Sequence, residues 1–135
     1  MADLGRITAS LRDMSRRAAE RPLDYIRWLP AQHRFLSSSS PRKLFRAGNQ
    51  SQGKTTAGLS EVIFRCLGAH PFLNVPPPPI EAVIITASWA QGLAIQQKLW
   101  ELLPADGLHP DTEYDPIRGF RGRNPAARFR NGSII

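Results

Sequence analysis

The sequence predicts an α/β fold in which a mostly parallel sheet is flanked by helices and preceded by an N-terminal helix. Two apolar runs, at residues 43–47 and 82–86, have the composition of buried strands. Each run is followed by a segment with helical periodicity. The order strand, helix, strand, helix is typical of parallel α/β sheets.

The N-terminal part is predicted to be helical over residues 3–19, until Pro22 ends the helix. An apolar seam runs along it, and most of its arginines lie off that seam. We interpret it as a helix packed on its own domain, with a surface for a partner subunit or DNA as the alternative. Residues 1–29 are therefore expected to be a helical or adaptor segment before the sheet-forming region of residues 30–135. The seam residues are Leu4, Ile7, Leu11, Met14 and Ala18.

Several local signals place the remaining elements. Pro30 can open a short helix, and Gly68 is a plausible C-cap for the helix that starts at Lys54. Ser88 with Gln91 three residues later has the pattern of a capping box. Residues 128–135 resemble a hairpin that turns at Asn131 and Gly132.

The charge of the chain is positive and unevenly distributed. The net charge is +7, and residues 1–46 carry ten Lys or Arg against four Asp or Glu. Residues 118–135 carry five arginines and no acidic residue. Two basic ends suggest a partner with phosphates beyond a nucleotide, and solvated surface arginines are the alternative.

The single cysteine, Cys66, rules out an internal disulfide and makes a reducing cytosol the natural compartment. No apolar run approaches the length of a membrane span, and no signal-peptide core is present. We therefore expect a protein that is neither secreted nor inserted in a membrane.

The strongest motif lies between the first predicted strand and its helix. It fits the phosphate-loop pattern G-x-x-x-x-G-K-[ST] at every fixed position. Glycines let main-chain N–H groups approach an anion, the lysine reaches the β- and γ-phosphates, and the following hydroxyl can bind Mg²⁺. The expected nucleotide-binding residues are Gly48, Asn49, Gln50, Ser51, Gln52, Gly53, Lys54, Thr55 and Thr56, with Lys54 in the catalytic role and Thr55 on the metal.

An acidic site that a phosphate-loop ATPase also needs is not evident. Glu81 precedes its predicted strand, and Asp111, Glu113 and Asp115 follow no apolar run. We expect the chain to be the front part of a larger ATPase domain, truncated before the acidic Mg²⁺-binding strand. Alone it should not hydrolyse ATP at a useful rate.

Residues 30–36, 44–50 and 53–55 together resemble the large subunit of tailed-phage terminases, the ATP-driven motors that package DNA into viral procapsids. The predicted strand and helix of residues 82–103 and the hairpin at residues 129–133 also resemble that family's ATPase domain. The resemblance implies an incomplete RecA-like P-loop NTPase with ATP and Mg²⁺ as cofactors. It also implies that Gln32 contacts adenine. Arg128 and Arg130 are candidates for an arginine offered to a neighbouring subunit's nucleotide.

The same resemblance implies double-stranded DNA, a small terminase subunit and a portal protein as partners, and a homo-oligomeric ring for the full-length protein. The protein would act in the host cytoplasm, at the procapsid. Nuclease activity would come only from a C-terminal region that is absent from this sequence. A helicase-like P-loop ATPase and a truncated nucleotide- or DNA-binding remnant without turnover are the alternatives.

Overall fold

The computed structural model describes residues 3–46, 53–122 and 124–135. Four helices dominate them: α1 (Asp3–Glu20), α2 (Pro30–Ser37), α3 (Lys54–Leu67) and α4 (Trp89–Leu102). Short 3₁₀ turns at Pro22–Tyr25 and Ala105–Gly107 follow α1 and α4. Two strands of two residues, β1 (Tyr114–Asp115) and β2 (Gly119–Phe120), pair antiparallel, with Tyr114 opposite Phe120.

The predicted parallel sheet is wrong for this part of the chain. The described residues are rich in helix, and β1 with β2 is the sheet formed within them. Residues 43–46 and 82–86 run without strand pairing of their own. Leu44 is 83% exposed, and Val83 and Ile85 are 78% and 89% exposed. These runs have strand composition, but a strand needs a partner on its edge and cover on its faces.

Isolated bridges provide the remaining backbone pairing. Glu81 pairs with Ile134 in parallel, and Arg128 pairs with Ile134 antiparallel. Ala127 and Ile135 exchange two N–H···O bonds of 2.9 and 3.0 Å, and Gly132 N–H donates to Phe129 O across the turn. The predicted hairpin at residues 128–135 is confirmed as backbone pairing.

The helix boundaries follow the local signals. Gly68 has a φ of 69° and ends α3, with its N–H donating to Arg65 O, as the predicted C-cap requires. Ser88 Oγ accepts a 3.3 Å bond from Gln91 N–H at the start of α4. The predicted starts of α2 at Pro30 and of α3 at Lys54 are confirmed.

The core lies between α2, α3, α4 and the hairpin. It is built from the apolar faces of these elements and extends to the segment between α1 and α2. Its buried members include Leu23, Leu36, Leu59, Ile63, Cys66, Leu99, Leu102 and Phe129.

The helix α1 exists as predicted, but its apolar seam is not packed as we expected. Leu4, Ile7, Leu11 and Met14 are each more than half exposed. Arg16 and Arg17 pair with Asp13 on the helix surface. The expectation that this seam packs on its own domain is therefore wrong, and the boundary between residues 29 and 30 stays a prediction.

Candidate functional site

The predicted phosphate loop is only partly within the described residues. Gly48, Asn49, Gln50, Ser51 and Gln52 lie outside them, whereas Gly53 to Thr56 form the start of α3. Gly53 is the residue before the helix and has a φ of 63°, in the left-handed region that favours glycine. Its carbonyl accepts the first helical bond, from Ala57 N–H at 3.0 Å.

A cavity of about 540 Å³ opens at this end of α3. Its volume lies in the range of roughly 300–1,000 Å³ that is typical of small-ligand sites. The start of α3 forms one wall, and α4 forms the other. The lining residues are Gly53, Lys54, Thr55, Thr56, Ala94, Ile95 and Lys98.

The electrostatics of this cavity suit an anion. The first N–H groups of a helix point out of its N-terminal end, where the helix dipole is positive. Lys54 lines the α3 wall and Lys98 the α4 wall, so two cationic side chains line the cavity. Thr55 follows Lys54 and lines the same cavity, and its expected role as a Mg²⁺ ligand stays a prediction.

The sequence analysis did not identify Lys98 as a lining residue. Lys98 belongs to no motif, and only the apolar residues of its helix were used in the prediction. Its Nζ lies 3.0 Å from Glu101 Oε2 on the exposed surface of α4. Exposed pairs of this kind contribute roughly 0–1 kcal/mol. The pair with Glu101 therefore restrains the Lys98 ammonium only weakly.

Gln32 reaches the loop from α2. Its side chain is buried, with Oε1 accepting from Leu29 N–H at 2.9 Å and Nε2 donating to Gly53 O at 3.1 Å. The structure thus brings Gln32 to the last glycine of the phosphate loop. Its expected contact with adenine stays a prediction.

The two arginine candidates lie on the hairpin and are exposed. Arg130 Nε donates to Leu108 O at 3.0 Å. Arg128 lines a separate cavity of about 310 Å³ together with His109 and Asp111. Neither arginine lines the cavity at the start of α3, so a role toward a neighbouring subunit's nucleotide stays a prediction.

A buried ionic cluster, also missed by the sequence reasoning, holds the two sides of the loop together. Glu61 of α3 accepts bonds from Lys43 Nζ at 2.9 Å, Arg65 Nε at 2.7 Å and His70 Nε2 at 2.9 Å. Lys43 precedes the loop and also donates to Leu36 O at 3.2 Å. The cluster therefore ties the segment that enters the loop to the helix that leaves it.

The environment of Glu61 sets its ionisation. Burial alone raises the pKa of this carboxyl, but the hydrogen bonds from Lys43, His70 and Arg65 outweigh it and lower the pKa below its ordinary value. His70 Nδ1 accepts from Phe72 N–H at 3.2 Å, so the ring presents its N–H at Nε2 to Glu61.

The hairpin is fastened to the end of α3. Cys66 O accepts from Asn131 Nδ2 at 2.7 Å and from Ser133 Oγ at 2.8 Å, and Ser133 Oγ accepts from Ile80 N–H at 2.9 Å. Burial raises the pKa of the Cys66 thiol to about 11. The thiol therefore stays protonated near neutral pH and is a packing group rather than a nucleophile.

Within residues 3–46, 53–122 and 124–135, no cluster of three or more His, Cys, Asp or Glu side chains could hold a metal ion. In the same ranges no helix is both long and apolar enough to cross a membrane.

Comparison with known proteins gives no relative. No protein-family model, no curated protein and no solved structure matches the chain.

Proposed function

We propose that this chain binds Mg²⁺·ATP through the cavity at the start of α3. The observation that carries the proposal is that Lys54 and Thr55, in the first turn of α3, line one wall of a cavity of about 540 Å³. These are the groups that the phosphate-loop pattern assigns to a triphosphate and its metal ion.

Each group would have a distinct task. The N–H groups at the start of α3 would bind phosphate oxygens, and the Lys54 ammonium would balance the charge of the β- and γ-phosphates. The Thr55 hydroxyl would hold the Mg²⁺ ion, which supplies further positive charge between those phosphates. Lys98, from α4, would add a second ammonium on the opposite wall.

The biological setting that we propose is the ATP-binding portion of a viral DNA-packaging terminase large subunit. The sequence resemblance over residues 30–36, 44–50, 53–55 and 129–133 supports it. In that setting the parent protein would be a P-loop ATPase that couples hydrolysis to translocation of double-stranded DNA. A small terminase subunit and a portal protein would be its partners, and the full-length protein would form a ring.

The structure adds local support for a joint role of these segments. Gln32 of the first segment donates to Gly53 of the second, and Ser133 of the third is bonded to α3 through Cys66 O. Gln32 and Ser133 therefore contact the two ends of the same helix, at Gly53 and at Cys66.

Equilibrium binding of Mg²⁺·ATP to the 135-residue chain tests the proposal. Lys54→Ala should weaken binding about 10- to 100-fold, because a charge-assisted hydrogen bond contributes roughly 1.5–3 kcal/mol. Chelation of Mg²⁺ should also weaken it. Arg12→Ala removes the same charge from the exposed surface of α1 and should leave the dissociation constant unchanged. Equal binding by the Lys54→Ala variant and the unaltered chain would overturn the proposal.

A further inference from the structure

Gln32 is engaged at both ends of its carboxamide. The residue is 5% exposed. Oε1 accepts from Leu29 N–H, within the first turn of its own helix, and Nε2 donates across to Gly53 O. The side chain thus bridges the start of α2 and the residue before α3.

The contact between Gln32 and Gly53 is close enough to restrict both residues. A Cβ added at Gly53 would collide with Gln32 Nε2. The φ of 63° at Gly53 independently favours glycine. The carbonyl that accepts from Gln32 also accepts the first helical bond from Ala57 N–H. This one peptide group is therefore held both by a backbone bond of α3 and by a side chain from another helix.

We propose that Gln32 is a positioning residue that fixes the Gly53 peptide and thereby aims the first turn of α3 at the triphosphate. This inference rests on the proposed function. The phosphate-binding N–H groups at the start of α3 follow directly from Gly53 in the chain, so a rotation of that peptide group redirects them.

The geometry distinguishes this role from recognition of a base. The carboxamide bonds to two backbone groups and the residue is 5% exposed, so its remaining N–H and lone pair have little access to an adenine edge. A positioning residue affects every ligand that carries the triphosphate. A base-reading residue affects only ligands that carry the base.

The test compares three Mg²⁺-loaded ligands, ATP, GTP and inorganic tripolyphosphate, on the 135-residue chain. Gln32→Ala removes both bonds. Gln32→Met also removes both bonds but keeps the length of the side chain, so it opens no large cavity and adds no charge beside the anion site. Gln91→Ala, an exposed glutamine on α4, is the matched control. Binding is measured at a temperature at which circular dichroism shows each variant folded.

We expect both Gln32 variants to weaken all three ligands by the same factor, about fivefold or more, and Gln91→Ala to change none. Unchanged tripolyphosphate binding together with weaker ATP binding would assign Gln32 to the base and overturn the inference. Unchanged binding of all three ligands would also overturn it. If Gln32→Ala does not fold, Gln32→Met alone decides between these outcomes.

Lys54→Ala, measured in parallel, separates this inference from the proposed function. If Lys54→Ala weakens tripolyphosphate binding and the Gln32 variants do not, the inference on Gln32 fails alone. If the unaltered chain binds no Mg²⁺·tripolyphosphate, or if Lys54→Ala has no effect, the proposed function fails and the inference fails with it.

Discussion

Glu61 shows how single residues stabilise the surroundings of the phosphate loop. Its side chain and that of Lys43 are 10% and 9% exposed, and removal of one partner from such a buried pair costs roughly 3–5 kcal/mol. Lys43 lies before the loop and Glu61 within α3. Their pairing therefore joins the segment before the loop to α3.

The depressed pKa of Glu61 predicts a pH dependence of stability. The folded-state pKa lies below the ordinary value of 4.5, so the stabilisation is fully present above that value and is lost as the pH falls through the folded-state pKa. Glu61→Gln should lower the free energy of unfolding by about 3 kcal/mol near neutral pH. The difference from the unaltered chain should shrink in acid, as urea unfolding at several pH values would show.

Glu101→Gln provides the control, because Glu101 belongs to the exposed pair with Lys98. Its effect should stay within about 0.5 kcal/mol at every pH. A Glu61→Gln deficit that is constant from neutral to acidic pH would contradict the role assigned to this carboxylate.

For single residues, the sequence correctly predicted the features that depend on neighbours in the chain. The spacing of Gly53, Lys54 and Thr55 identified the start of α3, because helix termini and glycine conformations are local properties. The bond from Gln32 to Gly53 spans 21 positions, and that from Lys43 to Glu61 spans 18. Such contacts depend on how helices pack, so no local pattern encodes them.

The secondary-structure elements also divide into those that local sequence predicts and those that depend on distant parts of the chain. All four helices were predicted, since their caps and apolar periodicity lie within a few residues of one another. The runs at residues 43–47 and 82–86 were misread as buried strands. Their β-branched and apolar residues fit a strand, but strand formation depends on partners supplied by distant parts of the chain.

The attachment of the hairpin to α3 gives a prediction at the scale of elements. Ser133 is fully buried, and its hydroxyl connects Cys66 O of α3 with Ile80 N–H. Ser133→Ala leaves a buried backbone donor without this acceptor, so it should destabilise the fold by about 1–3 kcal/mol. Urea unfolding monitored by circular dichroism measures the change.

Ser10→Ala on the exposed surface of α1 is the matched control, with an expected effect within about 0.5 kcal/mol. Equal stabilities of the Ser133→Ala and Ser10→Ala variants would show that the hydroxyl bridge contributes nothing to the attachment.

For the molecule as a whole, the described residues leave a considerable apolar surface uncovered. Ala82 and Ile84 pack against the core, whereas Val83 and Ile85 alternate with them and face outward. Trp89 is also exposed. Contiguous exposed apolar residues bind hydrophobic dyes and promote association.

The double variant Val83→Thr/Ile85→Thr should reduce the fluorescence of a bound hydrophobic dye and reduce self-association. Its free energy of unfolding should change by no more than about 0.5 kcal/mol per site, as is usual at exposed positions. Dye titration and light scattering measure these effects. Ile117→Thr, at an exposed position in the turn between β1 and β2, should leave dye fluorescence and light scattering unchanged. If the double variant gave the same values as Ile117→Thr, the prediction would be contradicted.

The central claim, that a triphosphate binds at the start of α3, is tested most directly by backbone amide NMR during titration with Mg²⁺·tripolyphosphate. We predict that the largest saturable shifts occur at Gly53, Lys54, Thr55 and Thr56, and that Lys54→Ala abolishes them. Shifts confined to the arginines of α1 or the hairpin, with none at the start of α3, would contradict the claim.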